Sequence, residues 1–256
     1  MTNSEGIALF DVYRFNPKTD AAPRRQRFEV DLERHMTVLD GLRQIQDRRD
    51  CLLAFRASCQ GGRCGGCAMR INGRIRLACE TRIEALRRRV VRVDPLPNLT
   101  VIRDLVVDMD PFWRSYEQVR PWLSPDVQYV ECERLQTPKE RERFCAYIVC
   151  ILCGACYAAC PVVRRSPWFL GPAALAKAFR FAADSRETEA EERLDALNSH
   201  AGVWGCDAIF RCVHVCPKGV PPAHAIAAMR RRLVMTKARQ LFRLIPFGQG
   251  TSTGQW

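Results

Sequence analysis

Residues 150–161 read CILCGACYAACP, and residues 206–217 read CDAIFRCVHVCP. Laid over one another, the runs share a cysteine frame: Cys150 with Cys206, Cys156 with Cys212, and Cys160-Pro161 with Cys216-Pro217. One position differs in kind, because Ile209 stands where the first run has Cys153. The first run has the spacing of bacterial ferredoxins, in which the fourth cysteine ligates the other cluster. Exchanging the last cysteine of each run gives Cys150, Cys153, Cys156 and Cys216 as four thiolates for a [4Fe–4S] cluster. Cys160, Cys206 and Cys212 make only three. A cube lacking one ligand tends to lose that iron, so this set reads as a [3Fe–4S] site with Ile209 at the vacant corner. A fourth ligand from Asp207 or His214 is the alternative.

A third constellation lies upstream. SCQGGRCGGC followed by LAC places Cys59, Cys64 and Cys67 in a C-x4-C-x2-C frame, with Cys79 returning further on. This is the plant-type spacing for a [2Fe–2S] cluster. A loop wrapping an anionic cluster must bring several N–H groups toward sulfur, and Gly61, Gly62, Gly65 and Gly66 permit such turns. Zinc is the competing reading, although zinc sites generally use pairs of short cysteine spacings.

The surroundings agree with a ferredoxin. IALFDVYRF and RRQRFEVDLE alternate as strands, the second with Phe28, Val30 and Leu32 on one face. TVLDGLRQIQDRRD reads as a helix capped by Thr37, with Val38, Leu39, Leu42 and Ile45 as its buried stripe. Asn72-Gly73 between MRI and RIRLA predicts a hairpin that carries Cys79 back to the loop, and RRVVRVDPL closes the sheet. Residues 95–125 are too rich in Leu, Val and Trp for a solvated tether, so they cross into a second unit. Beyond them the pattern is helical: a helix opened by Thr137-Pro138, then GPAALAKAFRFAAD, RETEAEERLDALNSH and PPAHAIAAMRRRLVMTKARQLFRL. In the last of these, Ala225, Ala228, Met229, Leu233 and Met235 form the expected core face. The expected fold class is α+β: a plant-type ferredoxin (β-grasp) domain over 1–105, then an all-helical bacterial-ferredoxin-like domain over 106–256.

Fourteen cysteines in 256 residues dominate the composition. The N-terminus enters a strand pattern at once, without the apolar stretch of a signal peptide, and no apolar run approaches a membrane span. The chain is therefore expected in the cytoplasm, where closely spaced cysteines bind metal rather than pair. Cys51, Cys132 and Cys145 fall outside the motifs and are expected to be buried structural thiols. A net charge of +12 suits an acidic partner, anionic lipid headgroups or nucleic acid. Arg87–Arg89 and Arg230–Arg232 read as solvated faces or subunit contacts, and His35, His200 and His224 as having no redox role.

The eleven motif cysteines, in this order, resemble the iron–sulfur subunit of the succinate dehydrogenase/fumarate reductase (respiratory complex II) family. The likeness extends to PNLTVIRDLVVDMDPFW, RPWL, FLGPAAL and CPKGVPPAHAI. The resemblance implies a flavoprotein partner with FAD, membrane-anchor subunits with quinone and in some members haem, and no nucleic-acid partner. It implies electron transfer through [2Fe–2S], [4Fe–4S] and [3Fe–4S] in a peripheral subunit at the cytoplasmic face of the inner membrane. This chain would have no substrate site of its own. Ubiquinone-reducing members carry a tryptophan pair after the first Cys-Pro; here Val162, Val163, Arg164 and Arg165 follow. Those members also have histidine where this chain has Asp207. A quinone pocket would then lie mainly in the anchor or be reshaped here around Pro161, Arg164, Arg165, Trp168, Asp207 and Ile209. The residues alone leave open a quinol:fumarate reductase, a soluble thiol-linked fumarate reductase, and a basic zinc module that binds nucleic acid.

Overall fold

The structure is a computed structural model that describes residues 6–124 and 133–244. Alternating apolar residues produce β1 (Gly6–Arg14) and β2 (Arg24–Leu32), an antiparallel pair with Phe10 opposite Phe28. Helix α1 (Val38–Arg48) follows, with Thr37 as N-cap in a reciprocal capping box with Asp40. All four residues of its expected stripe are buried. Gly41 of α1 lies against the Phe10 ring so closely that a Cβ would stand 2.4 Å from it, so the absent side chain sets how near the helix comes to the sheet.

β3 (Ala68–Ile71) and β4 (Arg74–Leu77) form the expected hairpin, with Asn72 and Gly73 both at positive φ as a type I′ turn requires. β5 (Val90–Asp94) pairs parallel with β1 and antiparallel with β3, giving the sheet order β2-β1-β5-β3-β4. The crossing segment folds as a small hairpin, β6 (Val101–Arg103) with β7 (Val106–Val107). Its turn residue Asp104 is buried and accepts hydrogen bonds from Arg14 Nε, Phe15 N–H and Ala54 N–H, which anchors the segment to the first unit. Leu96, Leu105 and Val107 belong to the first core, and Phe112 and Val119 to the second. The segment is thus packed at both ends, as its composition predicts.

Among the described residues no strand follows Val107. The helices are α2 (Asp110–Gln118), α3 (Pro138–Ile148), α4 (Ala155–Ala158), α5 (Pro161–Arg165), α6 (Gly171–Ala182), α7 (Ala190–Ala196), α8 (Arg211–His214) and α9 (Pro222–Leu244). Helix α6 is central; its buried Ala173, Ala174, Ala176 and Ala178 present little bulk to its neighbours, and it packs on α2, α3, α7 and α9.

Three expectations need correction. Cys51 and Cys145 are exposed, not buried: Cys51 sits in the turn after α1, and Cys145 points away from the face of α3 that buries Phe144 and Tyr147. Cys132 lies outside the described residues. The stripe of α9 holds for Ala225, Met229 and Leu233, which recur every four residues, while Met235 falls off it and is exposed. Arg231 is exposed and the Arg232 side chain is 42% exposed, but Arg230 and Arg232 also make contacts within the fold. Arg230 donates to the carbonyls of Val203 and Cys206, and Arg232 donates to the Ala182 carbonyl and pairs with Glu191.

Candidate metal centres

The plant-type loop lies before β3, and the short helical turn Ala78–Glu80 after β4 returns Cys79 to it. Cys67 and Cys79 are buried, with their sulfurs 3.3 Å apart, while Cys59 and Cys64 are exposed. Backbone N–H groups of Gly61, Cys64 and Arg63 converge on the Cys59 sulfur and lower its pKa to about 6. Burial acts the other way on Cys67, pushing it to about 12, with Cys79 beside it adding to the rise. An outer thiolate already favoured at neutral pH and two inner thiols that give up protons only to a metal suit a cluster bound at the surface.

The two ferredoxin runs interleave. Cys150, Cys153, Cys156 and Cys216 line one cavity with about 400 Å³ free of protein atoms. Cys160, Cys206 and Cys212 line a second of about 360 Å³, together with Pro161, Asp207 and Ile209. Among the described residues no three Cys, His, Asp or Glu side chains close on one point as ligands of a single ion, so the sulfurs border spaces instead. Backbone N–H groups of Val220 and Ala208 point at the sulfurs of Cys216 and Cys206. Burial raises the pKa of Cys150 and Cys160, brings Cys153 and Cys212 to about 11, and lifts Cys156 well above the ordinary thiol value, with Cys153, Cys150, Cys212 and Cys216 contributing next. Cys156 lines the four-cysteine cavity, and Cys212 of the neighbouring cavity is near enough to act on it electrostatically. Buried thiols with N–H donors around apolar spaces fit iron–sulfur clusters.

The backbone repeats with the sequence. Leu152 and Ala208 both have φ +54°, Gly154 and Phe210 have φ +74° and +61°, and α4 and α8 each begin one residue later. The second loop keeps the path of the first, and the change from Cys153 to Ile209 alters the side chain, not the wrapping. Ile209 lines its cavity yet remains 46% exposed, so it stands at the rim rather than filling a corner. His214 does not line the cavity.

The three centres adjoin. A Cβ on Gly65 would stand 2.6 Å from Cys153 Cβ and 2.8 Å from its Cα, so the plant-type loop touches the four-cysteine site through a glycine. Lys218 pairs with Glu80 across the same junction at 3.0 Å. Asn98 donates to the carbonyls of Ala158 and Cys160, fixing the end of the first run. Lys177 faces Cys150, with its ammonium pKa lowered by burial. Asn98, Lys177 and Arg230 escape sequence reasoning because nothing in their spacing marks them.

The residues expected around a quinone divide. Pro161, Asp207 and Ile209 border the three-cysteine cavity, and Arg165 reaches it through an ion pair with Asp207. Arg164 faces a neighbouring groove instead, and Trp168 stands 83% exposed. Val162 and Val163, the first two residues after Cys160-Pro161, are buried in the helical core.

Comparison with known proteins accounts for this arrangement. The 2Fe-2S iron-sulfur cluster binding domain family matches residues 9–114, and the 4Fe-4S dicluster domain family matches 147–220. The chain is 42% identical to a fumarate reductase iron-sulfur subunit of Mycobacterium tuberculosis, over 94% of this chain and 98% of that protein. It belongs to the family of succinate dehydrogenase and fumarate reductase iron–sulfur subunits. A succinate dehydrogenase iron-sulfur subunit of Coxiella burnetii is 41% identical, over 88% of this chain and 96% of that one. A chain of the Mycobacterium smegmatis Sdh1 complex in the apo form superposes with TM-score 0.82 at 26% identity, covering 92% of this chain and 98% of that one. Membership in this iron–sulfur family displaces the zinc-module reading. No helix among the described residues is long and apolar enough to cross a membrane.

Proposed function

We propose that the chain conducts electrons between a FAD-bearing flavoprotein and quinone at membrane-anchor subunits, as the peripheral iron–sulfur subunit of a succinate:quinone oxidoreductase on the cytoplasmic face of the inner membrane. In this reading Cys59, Cys64, Cys67 and Cys79 hold [2Fe–2S], Cys150, Cys153, Cys156 and Cys216 hold [4Fe–4S], and Cys160, Cys206 and Cys212 hold [3Fe–4S]. The clusters, when bound, supply one-electron carriers whose potentials depend on type, charge, hydrogen bonds and exposure. The division into 1–105 and 106–256 stands with it, one unit for the first centre and one for the other two.

The observation that carries the reading is the contiguity of the three cysteine sets. The exposed edge at Cys59 and Cys64 suits entry from a flavoprotein. Gly65 lets the first loop lie on Cys153, and Cys156 of the second cavity packs against the same core as Cys160 and Cys206 of the third. The protein's own work is spacing: small residues hold the centres close, and apolar walls keep water from them. At the far end, the pair of Arg165 with Asp207 flanks the third cavity on the side where quinone is expected. The quinol:fumarate direction stays as a second reading because one of the two quoted relatives, at 42% identity, is a fumarate reductase subunit.

Electron paramagnetic resonance on the purified complex tests the cluster set. About nine irons per chain are expected, with one signal from the oxidised three-iron centre and another on reduction from the two-iron centre. A silent oxidised state at full iron content would remove the three-iron assignment.

A further inference from the structure

Six arginines line one groove at the junction of the two units; Arg70 and Arg82 pair with Asp94 and Glu84, and the other four are Arg74 and Arg76 on β4, Arg164 on α5 and Arg211 on α8. None of the four has an ion-pair or hydrogen-bond partner for its side chain among the described residues. The carboxylate there, Glu80, is already paired with Lys218. The lining is therefore a concentration of uncompensated positive charge, which costs self-repulsion unless an anion is present. The groove is broad, with about 1,880 Å³ of space including the solvent above it, far more than one small ion requires.

Its position is as informative as its charge. Pro161 and Arg211 line both this groove and the three-cysteine cavity. Of that cavity's lining, Ile209 and Phe210 are conspicuously exposed for apolar side chains, and Trp168, next in sequence to the lining residue Phe169, is exposed too. Arginines next to exposed apolar and aromatic side chains make the pattern of a surface resting at a lipid–water boundary, where rings sit at headgroup level and cations meet phosphates. An acidic protein segment would match the arginines but gives no account of the apolar rim.

We infer that this groove takes the phosphate headgroups of anionic phospholipid, so that the subunit itself touches the membrane beside its last centre. The inference rests on the proposed function for the orientation of that centre toward the membrane. The two walls of the groove come from different units, β4 from the first and α5 and α8 from the second, so headgroup binding spans their junction.

The test is co-sedimentation of the full-length, iron-loaded chain with vesicles of phosphatidylcholine alone or with about 30 mol% phosphatidylglycerol. Binding is expected only to the anionic vesicles, and it should weaken as salt rises. Arg164→Gln/Arg211→Gln should lower the partition coefficient by roughly 25-fold, about fivefold for each arginine, and Arg74→Gln/Arg76→Gln on the opposite wall should act alike. Arg88→Gln/Arg89→Gln, outside the groove, is the charge-matched control and should change binding less. Equal losses in all three variants, equal binding to both vesicle types, or no binding at all would overturn the inference. Iron content and resonance signals of the same samples keep the readings apart: intact centres without selective binding remove the lipid groove alone.

Discussion

Ile209 shows how much one side chain decides. The backbone around it follows the path around Cys153, with positive φ one residue to either side in both copies. A thiol at position 209 would therefore start from the same backbone geometry as Cys153. Ile209→Cys is expected to convert the proposed three-iron centre toward [4Fe–4S], abolish the oxidised resonance signal, add about one iron per chain and lower the potential of that centre. Redox titration followed by resonance checks it; an unmoved potential with unchanged iron would place Ile209 away from the missing corner. Gly65 is the counterpart in the first unit. At φ +73° and with Cys153 behind it, alanine there combines a left-handed conformation with a clash against backbone. Gly65→Ala is expected to cost about 1–3 kcal/mol in thermal or denaturant unfolding, because the obstacle includes a Cα that cannot rotate aside.

Among the elements, α7 holds its place through a buried arginine as well as through Leu194 in the second core. Arg193 is 2% exposed, pairs with buried Glu187 at 2.9 Å, and donates to the carbonyls of Val119, Arg120 and Trp122. Arg193→Leu leaves a buried carboxylate and three carbonyls without that partner, at an expected cost of about 3–5 kcal/mol by urea unfolding. Asp184, at the end of α6, adds a pH dependence. Burial alone would raise its pKa, but hydrogen bonds and charge from Arg186, with Arg180, outweigh burial and lower it. A folded-state pKa below the unfolded value gives stability that is complete above about pH 4 and disappears as pH falls through the folded value. Arg186→Gln should reduce stability at neutral pH and flatten the loss below about pH 4, as measured by denaturant unfolding over a pH series. These carboxylates also explain a boundary. The pattern from Arg186 to His200 predicts one long helix, yet α7 spans only Ala190–Ala196, because ahead of it Asp184 accepts from the Gln136 amide and Glu187 from the Ser124 N–H. The sheet, its hairpin, α1 and α3 were legible because period, turn and capping residues agreed, as the second capping box at Thr137 and Glu140 shows. Helices α4, α5 and α8 were not, since four or five residues cannot display a helical period. The grouping of cysteines was legible from spacing. The braces at Asn98, Lys177 and Arg230 were not, because they act through carbonyls and neighbours distant in sequence.

Taken whole, the chain is organised by exchange. Cys216 belongs to the second run in sequence but lines the cavity of the first, and Cys160 does the reverse. Each run thus completes its neighbour, so neither site can close until both segments, separated by α6 and α7, have docked. Loss of one closing cysteine should therefore damage the centre remote in sequence. In Cys160→Ala the oxidised three-iron signal is expected to disappear, with about three of nine irons lost and the reduced two-iron signal kept. In Cys216→Ala the four-iron centre is the one disrupted, with up to about four irons lost, although the substitution falls in the run that supplies Cys206 and Cys212. Iron analysis paired with oxidised and reduced spectra distinguishes the two variants. Were Cys216→Ala to remove the oxidised three-iron signal and leave the four-iron centre whole, each run would serve its own cluster. The two cavities would then be misassigned, and with them the order in which the centres line up toward the membrane.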